Sequence, residues 1–184
     1  MPAPTLQQLL ETIAALPEPE RTELLARLRN IYGQPAPASA RQMGLDLSAS
    51  DWTGPADYLI VFDGGSLGNP GAGYGSFATF AGSDPGQVHR LEFPGSMTNN
   101  EAEYHTLLAA LRHLAEQLGP RAAETGVEVR GDSQLIIQQV LGRWKAKDDR
   151  MRGLRDEVRA ALRRFGRFRL VQQPREHSVR VLGH

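Results

Sequence analysis

Three acidic residues in this sequence are spaced so that their carboxylates could act together on metal ions. Asp63 directly follows a continuous apolar run at residues 58–62, and Asp132 follows a short strand-like segment at residues 127–130. Glu103 lies at the edge of a helical apolar stripe. Three converging carboxylates cannot all ionise cheaply without a cation, and Mg²⁺ binds oxygen ligands. This set predicts phosphodiester hydrolysis, with two ions ~4 Å apart activating a water and stabilising the leaving oxygen.

Each acid also has an ordinary structural interpretation. The Asp63-Gly64-Gly65 segment is a frequent turn sequence, and Asp132 is suited to cap a following helix. Glu103 is suited to a solvated helix flank, and Glu101 faces a different direction, which makes it the weaker ligand candidate. The combination of the three acids and their places in the predicted topology favour the metal site.

Hydrophobic periodicity predicts the elements that position these acids. The first three strands are predicted as an antiparallel meander and the second helix of the later pair is basic. The predicted elements are, in chain order, strands at 58–62, 74–80 and 87–93, a long helix ending at Gly119-Pro120, a strand at 127–130, helices at 133–141 and 148–165, and a strand at 168–171.

The predicted order β-β-β-α-β-α-α-β brings the acids together. The long helix crosses over and returns the fourth strand parallel to the first. If these two strands are neighbours, Asp63 and Asp132 emerge at adjacent carboxyl ends, where an α/β sheet binds ligands. Glu103 precedes Leu107 by four residues, so we expect its side chain to point toward the sheet.

Length and composition favour one ordinary domain with a small appendage, since the chain has 184 residues, 40% hydrophobic and 23% charged. It has no cysteine, which excludes disulfides and thiolate metal sites. Without an apolar run of membrane-spanning length or a signal peptide, no membrane association and a cytoplasmic location are expected. We predict an N-terminal helical hairpin at 1–31, a linker at 32–56 and the main domain at 57–184. The hairpin would dock on the main domain, on a second copy or on a protein partner.

The charge is zero overall but unevenly distributed. Residues 143–169 hold eleven Lys and Arg against four Asp and Glu, whereas residues 51–142 hold four against eleven. The basic region is suited to phosphates and the acidic region to cations. Solvated helix faces would give the same asymmetry, so the pattern supports a nucleic-acid partner without requiring one.

Three ordered motifs resemble those of the type 1 ribonuclease H family. The sequence looks closer to the compact, archaeal-like group of that family than to its other members. The motifs are residues 62–66 (Phe-Asp-Gly-Gly-Ser) with 69–71 and 73–75, residues 98–104 (Thr-Asn-Asn-Glu-Ala-Glu-Tyr), and residues 131–135 (Gly-Asp-Ser-Gln-Leu). The resemblance runs from about residue 58 to 177. It implies an α/β fold with a five-stranded mixed sheet in the order 3-2-1-4-5, flanked by helices.

The resemblance also implies an activity, a substrate and site residues. The activity is endonucleolytic hydrolysis of the RNA strand of RNA–DNA hybrids, leaving a 3′-hydroxyl and a 5′-phosphate, with two Mg²⁺ ions or with Mn²⁺. The implied metal-binding and catalytic residues are Asp63, Glu103 and Asp132. The residues predicted to contact the substrate are Gly64, Gly65, Ser66, Asn69, Asn99, Asn100, Gln134, Trp144, Lys145, Lys147 and Arg175.

Some of these contacts have competing structural interpretations. Asn99 and Asn100 are also suited to helix capping, Trp144 to packing and Arg175 to a surface salt bridge. The side chains expected to recognise 2′-hydroxyls across the minor groove are the polar ones, with help from the Gly64 and Gly65 amides. They are Ser66, Asn69, Asn99, Asn100 and Gln134. Trp144 and the two lysines are expected to follow the DNA-strand phosphates.

The sequence departs from the family pattern near its C-terminus. Family members carry a fourth metal-binding Asp after a Pro-Arg-Glu segment, which is present here at 174–176. Ser178 stands at the family's Asn position and Leu182 at the position of the Asp. The terminal carboxylate of His184 is a candidate substitute. The alternative function is therefore a non-catalytic hybrid-binding or protein-interaction module on the same fold.

Overall fold

The computed structural model describes residues 12–13, 15–18, 20–21, 24, 52 and 54–183. The chain divides into two compact units, 1–36 and 37–184. In the first unit the backbone is helical at Thr12 and Ile13, and a new helical turn begins near Glu18, where the Arg21 N–H donates to the Pro17 carbonyl at 2.9 Å. The remainder of the predicted hairpin, and the predicted linker up to residue 51, lie outside the described residues.

A five-stranded mixed sheet forms the second unit, in the predicted order β3-β2-β1-β4-β5. The pairs β1–β2 and β2–β3 are antiparallel, and β1–β4 and β4–β5 are parallel. The fourth strand therefore lies beside the first, an arrangement that the chain order left open and that the family resemblance implied. The strands are β1 (Tyr58–Gly68), β2 (Gly71–Ala81), β3 (Gln87–Met97), β4 (Gly126–Gly131) and β5 (Arg167–Gln172).

The prediction that Asp63 ends the first strand was wrong. The strand β1 continues to Gly68 and stays paired with β2 along its whole length, with Gly64 opposite Gly75. Continuous antiparallel pairing overrides the local turn preference of the Asp-Gly-Gly segment. The parallel pairing of β1 with β4 nevertheless stops at Val61, so Asp63 lies just beyond it.

Four α-helices accompany the sheet in the described part of the chain: α1 (Asn99–Leu118), α2 (Gln134–Val140), α3 (Asp149–Leu162) and α4 (Arg175–Leu182). Thr98 begins α1 with a capping box, and Gly119 ends it with a positive φ of 56°, which glycine adopts without a Cβ penalty. A 3₁₀ helix follows at Gly119–Glu124. The predicted element order did not include α4.

The main hydrophobic core lies between one face of the sheet and α1, α2 and α3. Leu107, Leu111 and Leu114 of the predicted α1 stripe are 0% exposed, and the stripe packs with Ile60 and Phe62 of β1. An ion pair between Arg112 of α1 and Glu157 of α3 spans 3.0 Å at the surface. The long helix is thus held directly against the strand that carries Asp63.

A second, smaller core lies on the other sheet face, because Val61 alternates with Ile60 and Phe62 along β1. It joins Val61 and Ala78 to Leu182 of α4, which is 1% exposed. The Leu182 carbonyl accepts a hydrogen bond from Arg90 Nη2 at 3.2 Å. The position at which the family pattern has a metal-binding Asp is therefore part of an apolar contact in this protein.

Trp52 attaches the chain segment before β1 to the edge strand β5. The guanidinium groups of Arg167 and Arg169 lie 4.5 and 4.7 Å from the centre of its ring. Arg169 also pairs with Glu128 of β4, which is 4% exposed and pairs with Arg130 as well. Burial alone would raise the pKa of Glu128, but the hydrogen bonds and charges of these two arginines lower it. Glu128 thus has a structural role, because its carboxylate pairs with arginines of β4 and β5.

Among the described residues, no helix is both long and apolar enough to cross a membrane.

The small core predicts a large difference between two leucine truncations. Leu182→Ala removes a buried side chain and leaves a cavity between α4 and β1, so we expect a loss of about 2 to 4 kcal/mol in the free energy of unfolding. Leu67→Ala is the matched control, because Leu67 is 75% exposed, and its expected cost is below about 0.5 kcal/mol. Urea unfolding measures both. Equal losses would contradict the packing of α4 on the sheet.

Candidate active site

The structure brings the three predicted acids together. One carboxylate oxygen from each of Asp63, Glu103 and Asp132 lies within 4.8 Å of the others. Asp63 is 4% exposed, Glu103 is partly buried, and the Asp132 side chain is 14% exposed. Three oxygen donors in this spacing form a set that suits a hard divalent cation. The set is the only such group among the residues that the structure describes.

Three elements position these acids. Asp63 lies where β1 continues past its pairing with β4, and Asp132 directly follows the last residue of β4. Glu103 lies in the first turns of α1, which approaches β1 closely because Gly64 has no side chain. A Cβ on Gly64 would lie 2.7 Å from the backbone of Ala102 and Glu103. Glycine at this position therefore sets the distance between two of the three carboxylates.

Glu103 is the acid of the cluster whose pKa is raised clearly above its ordinary value. Its pKa is raised to about 7, chiefly by burial and also by the neighbouring Asp132 and Asp63 charges, while the hydrogen bond from Ser133 and the Arg175 charge lower it. The Ser133 hydroxyl donates to Glu103 Oε2 at 2.5 Å. Without a metal ion, this carboxyl group is thus about half protonated near neutral pH.

Glu101 has a structural role in the same helix. Its carboxylate accepts hydrogen bonds from the Thr98 N–H at 2.7 Å and from Arg150 Nη1 at 2.6 Å. Burial would raise the pKa of Glu101, but the hydrogen bonds from Thr98 and Arg150 lower it overall. Its carboxylate therefore fastens the start of α1 to α3, in a different direction from Glu103, as the helix spacing predicted.

Arg175, the first residue of α4, lies over two of the three acids. Its Nη1 donates to Asp132 Oδ2 at 3.2 Å, and its Nη2 lies 3.9 Å from Asp63 Oδ2. The guanidinium side chain is 65% exposed, whereas the two carboxylates lie beneath it. The salt bridge anticipated as a structural alternative for Arg175 is thus present, and it involves the acid cluster itself.

Three of the predicted substrate residues form one polar network at the surface beside α1. Asn99 Oδ1 accepts from both the backbone N–H and the hydroxyl of Ser66, each at 2.9 Å. Asn69 Oδ1 accepts from the Asn99 N–H at 3.1 Å. The network joins the β1–β2 hairpin to the start of α1. Thr98, and not Asn99, caps the helix, and Asn100 is exposed in its first turn.

The predicted glycine contacts have a packing explanation as well. A Cβ on Gly65 would lie 2.8 Å from the Tyr74 hydroxyl oxygen, so the phenol ring of the paired strand covers this residue. Together with the close approach at Gly64, this explains both glycines through packing. Contacts of their amides with a substrate remain a prediction.

The basic segment after α2 is held by a buried glutamine that the sequence analysis did not identify. Gln139 is 5% exposed; it accepts from the Tyr104 hydroxyl at 2.9 Å and donates to the Lys145 carbonyl at 3.1 Å. Trp144 is partly buried, whereas Lys145 and Lys147 are exposed. A polar residue between apolar positions of α2 was the available signal. Gln134 is exposed at the first position of this helix.

A family profile, related sequences and solved structures all indicate the same family. The profile of a family described as reverse transcriptase-like matches residues 86–181. Ribonuclease HI of Halobacterium salinarum is 34% identical over 123 residues, which are 65% of this chain and 58% of that protein. A bifunctional protein of Mycobacterium tuberculosis is 38% identical over 66% of this chain and 32% of its own length. The chain thus spans less than two thirds of these relatives.

Solved structures agree in fold. The crystal structure of RNase H1 from Halobacterium salinarum has a TM-score of 0.60 and 33% identity, over 67% of this chain and 89% of that chain. LC11-RNase H1, solved in complex with an RNA/DNA hybrid, has a TM-score of 0.61 and 29% identity over the same shares. Together with the sheet order and the three motifs, these similarities show that the chain belongs to the ribonuclease H-like family that includes the reverse transcriptase-like proteins.

Proposed function

We propose that this protein hydrolyses the RNA strand of RNA–DNA hybrids in a reaction that depends on divalent metal ions. The observation that carries the proposal is the convergence of Asp63, Glu103 and Asp132 within 4.8 Å on this fold. The relatives named as ribonuclease HI and RNase H1 support it. So does the hybrid bound to LC11-RNase H1.

The three carboxylates would hold the metal ions, with Mg²⁺ preferred and Mn²⁺ as a substitute. The donor set fits, because all three ligands are oxygens and they concentrate negative charge at a partly buried position. Two bound ions would supply an activated water and neutralise charge at the leaving oxygen. Ser133 orients the Glu103 carboxylate through its hydrogen bond, so the ligand that is hardest to ionise is also held in place.

The polar network beside the acids would recognise the RNA strand. Asn69 and Asn99 are exposed, and Ser66 is partly buried, next to the start of α1, which also carries Glu103. Hydroxyl and amide groups at this place suit the 2′-hydroxyls of a shallow minor groove. Asn100, which follows Asn99, and Gln134, at the first position of α2, are also exposed and would extend the contact. The partner implied by this arrangement is an RNA–DNA hybrid.

The exposed lysines after α2 would bind the DNA strand. Lys145 and Lys147 flank Ala146, which is 5% exposed and anchors the segment. Gln139 fixes the backbone at Lys145. Positive side chains on a fixed backbone favour phosphate contacts, and Trp144 offers a surface for the sugar–phosphate chain. Arg175 would contact the phosphate nearest the metal site.

A second candidate function is a hybrid-binding module that cuts poorly or not at all. The observation that favours it is the burial of Leu182 at 1% exposure among apolar residues. Among the described residues, no further carboxylate joins the three acids at this position, and His184, the candidate substitute, lies outside those residues. The proposed surface for the hybrid would persist while charge stabilisation in the transition state is reduced.

Cleavage of a labelled RNA–DNA hybrid in Mg²⁺ or Mn²⁺ separates the two functions. We expect the wild-type protein to cut the RNA strand, and Asp63→Asn to reduce the rate at least about a hundredfold, since the loss of a metal ligand removes several kcal/mol of transition-state stabilisation. Asp84→Asn is the matched control, because Asp84 lies exposed in the β2–β3 turn. Tight binding without cleavage would favour the module, and chelator-resistant cleavage would contradict metal dependence.

The raised pKa of Glu103 predicts a pH dependence for the metal-free protein. Its pKa is 4.5 when unfolded and about 7 when folded, so the unfolded state loses its proton first. The contribution of Glu103 to the free energy of unfolding is therefore fully present below pH 4.5 and is lost as the pH rises toward 7. In EDTA, Glu103→Gln should raise the melting temperature relative to wild type more at pH 8 than at pH 5, as calorimetry would measure. Glu116→Gln, on the exposed side of α1, is the control. A pH-independent difference would contradict the raised pKa.

A further inference from the structure

The acid cluster already contains a cation that belongs to the chain. The Arg175 guanidinium donates to Asp132 and lies 3.9 Å from Asp63. We propose that Arg175 is a resident counter-cation, which competes with divalent metal ions for Asp132 and so lowers the metal affinity of the site. The inference rests on the proposed metal-dependent function, but concerns metal affinity and not cleavage.

Position and exposure make the guanidinium a competitor of a bound ion. It covers the acids from the solvent side, since its side chain is 65% exposed and those of Asp63 and Asp132 are 4% and 14% exposed. A divalent ion that binds the same Asp132 carboxylate would lie a few ångströms from the guanidinium. The two positive charges would repel each other. Metal binding therefore requires Arg175 to leave Asp132 or to share it at a cost in affinity.

The backbone of Arg175 is fixed while its side chain can move. Helix α4 is anchored by buried Leu182, and the Ser178 hydroxyl, which is fully buried, accepts from Gln173 Nε2 at 3.0 Å. The guanidinium extends from this anchored helix on a long, exposed stem. It can therefore exchange the Asp132 carboxylate for another anion without any rearrangement of the fold.

The competition matters because the ligand set is reduced. Leu182 contributes no charge where the family pattern has an Asp, so three carboxylates face the ion, and two of them, Asp132 and Asp63, are already paired with Arg175. Removing the arginine leaves the three carboxylates without their resident cation, which should draw a divalent ion more strongly. Removing an arginine elsewhere on α4 should have no such effect.

Calorimetric titration of the full-length protein with Mn²⁺, without nucleic acid and at fixed ionic strength, tests the proposal. We expect Arg175→Met to bind Mn²⁺ roughly three- to tenfold more tightly than wild type, an estimate reduced for solvent screening of an exposed charge. Arg175→Lys retains the charge and should remain close to wild type. Arg180→Met is the control, because Arg180 is exposed five residues further along α4, and we expect unchanged affinity.

Melting temperatures distinguish competition from a merely structural role. In EDTA, Arg175→Met should melt below wild type, because the carboxylates lose their counter-charge, and saturating Mn²⁺ should raise its melting temperature more than that of wild type. Lower stability with unchanged or weaker Mn²⁺ affinity would overturn the proposal, as would the absence of Mn²⁺ binding to both proteins. A wild-type protein that binds Mn²⁺ but cuts no hybrid would refute the proposed function and leave this inference intact.

Discussion

Three carboxylates are held close together in this protein against their mutual repulsion. Asp63, Glu103 and Asp132 place oxygens within 4.8 Å in a partly buried position, where like charges are expensive to collect. Rigid packing must therefore hold the acids together. The packing comes from the buried stripe of α1 on β1 and from the close approach at Gly64. The stability of the core therefore offsets the cost of collecting the charges, as is common at functional sites.

The metal-free site balances its charge with two devices of different kinds. Glu103 is partly protonated near neutral pH, because its pKa is about 7. Arg175 supplies a positive charge at Asp132. A proton and a guanidinium are both removable, whereas the carboxylates are fixed by the fold. The cluster is thus tolerated without metal, and displacing both would free its three carboxylates for the proposed metal ions.

Periodicity and chain order predicted the strands, the main helices and the crossover, whereas the sheet order that brings the acids together followed from the family resemblance. The apolar stripe of α1, the crossover and the sheet order were confirmed, and so was the different direction of Glu101. What failed was local: Asp63 was assigned to a strand end, since pairing with β2 cannot be weighed from one strand alone. The Gln139 network also escaped prediction, because its partners Tyr104 and Lys145 are distant in sequence or belong to the backbone.

Leu182 links the stability of the fold to the composition of the site. As an apolar residue it closes the small core and anchors α4, and α4 in turn carries Arg175 over the acids. An aspartate at this position would have to ionise in apolar surroundings beside Val61 and Ala78, which is costly without a counter-ion. The buried leucine therefore anchors the helix that carries Arg175 but offers no ligand atom, whereas the aspartate of the family pattern would offer one. In this protein the balance of charge around the acid cluster depends on that helix being anchored by its last apolar turn.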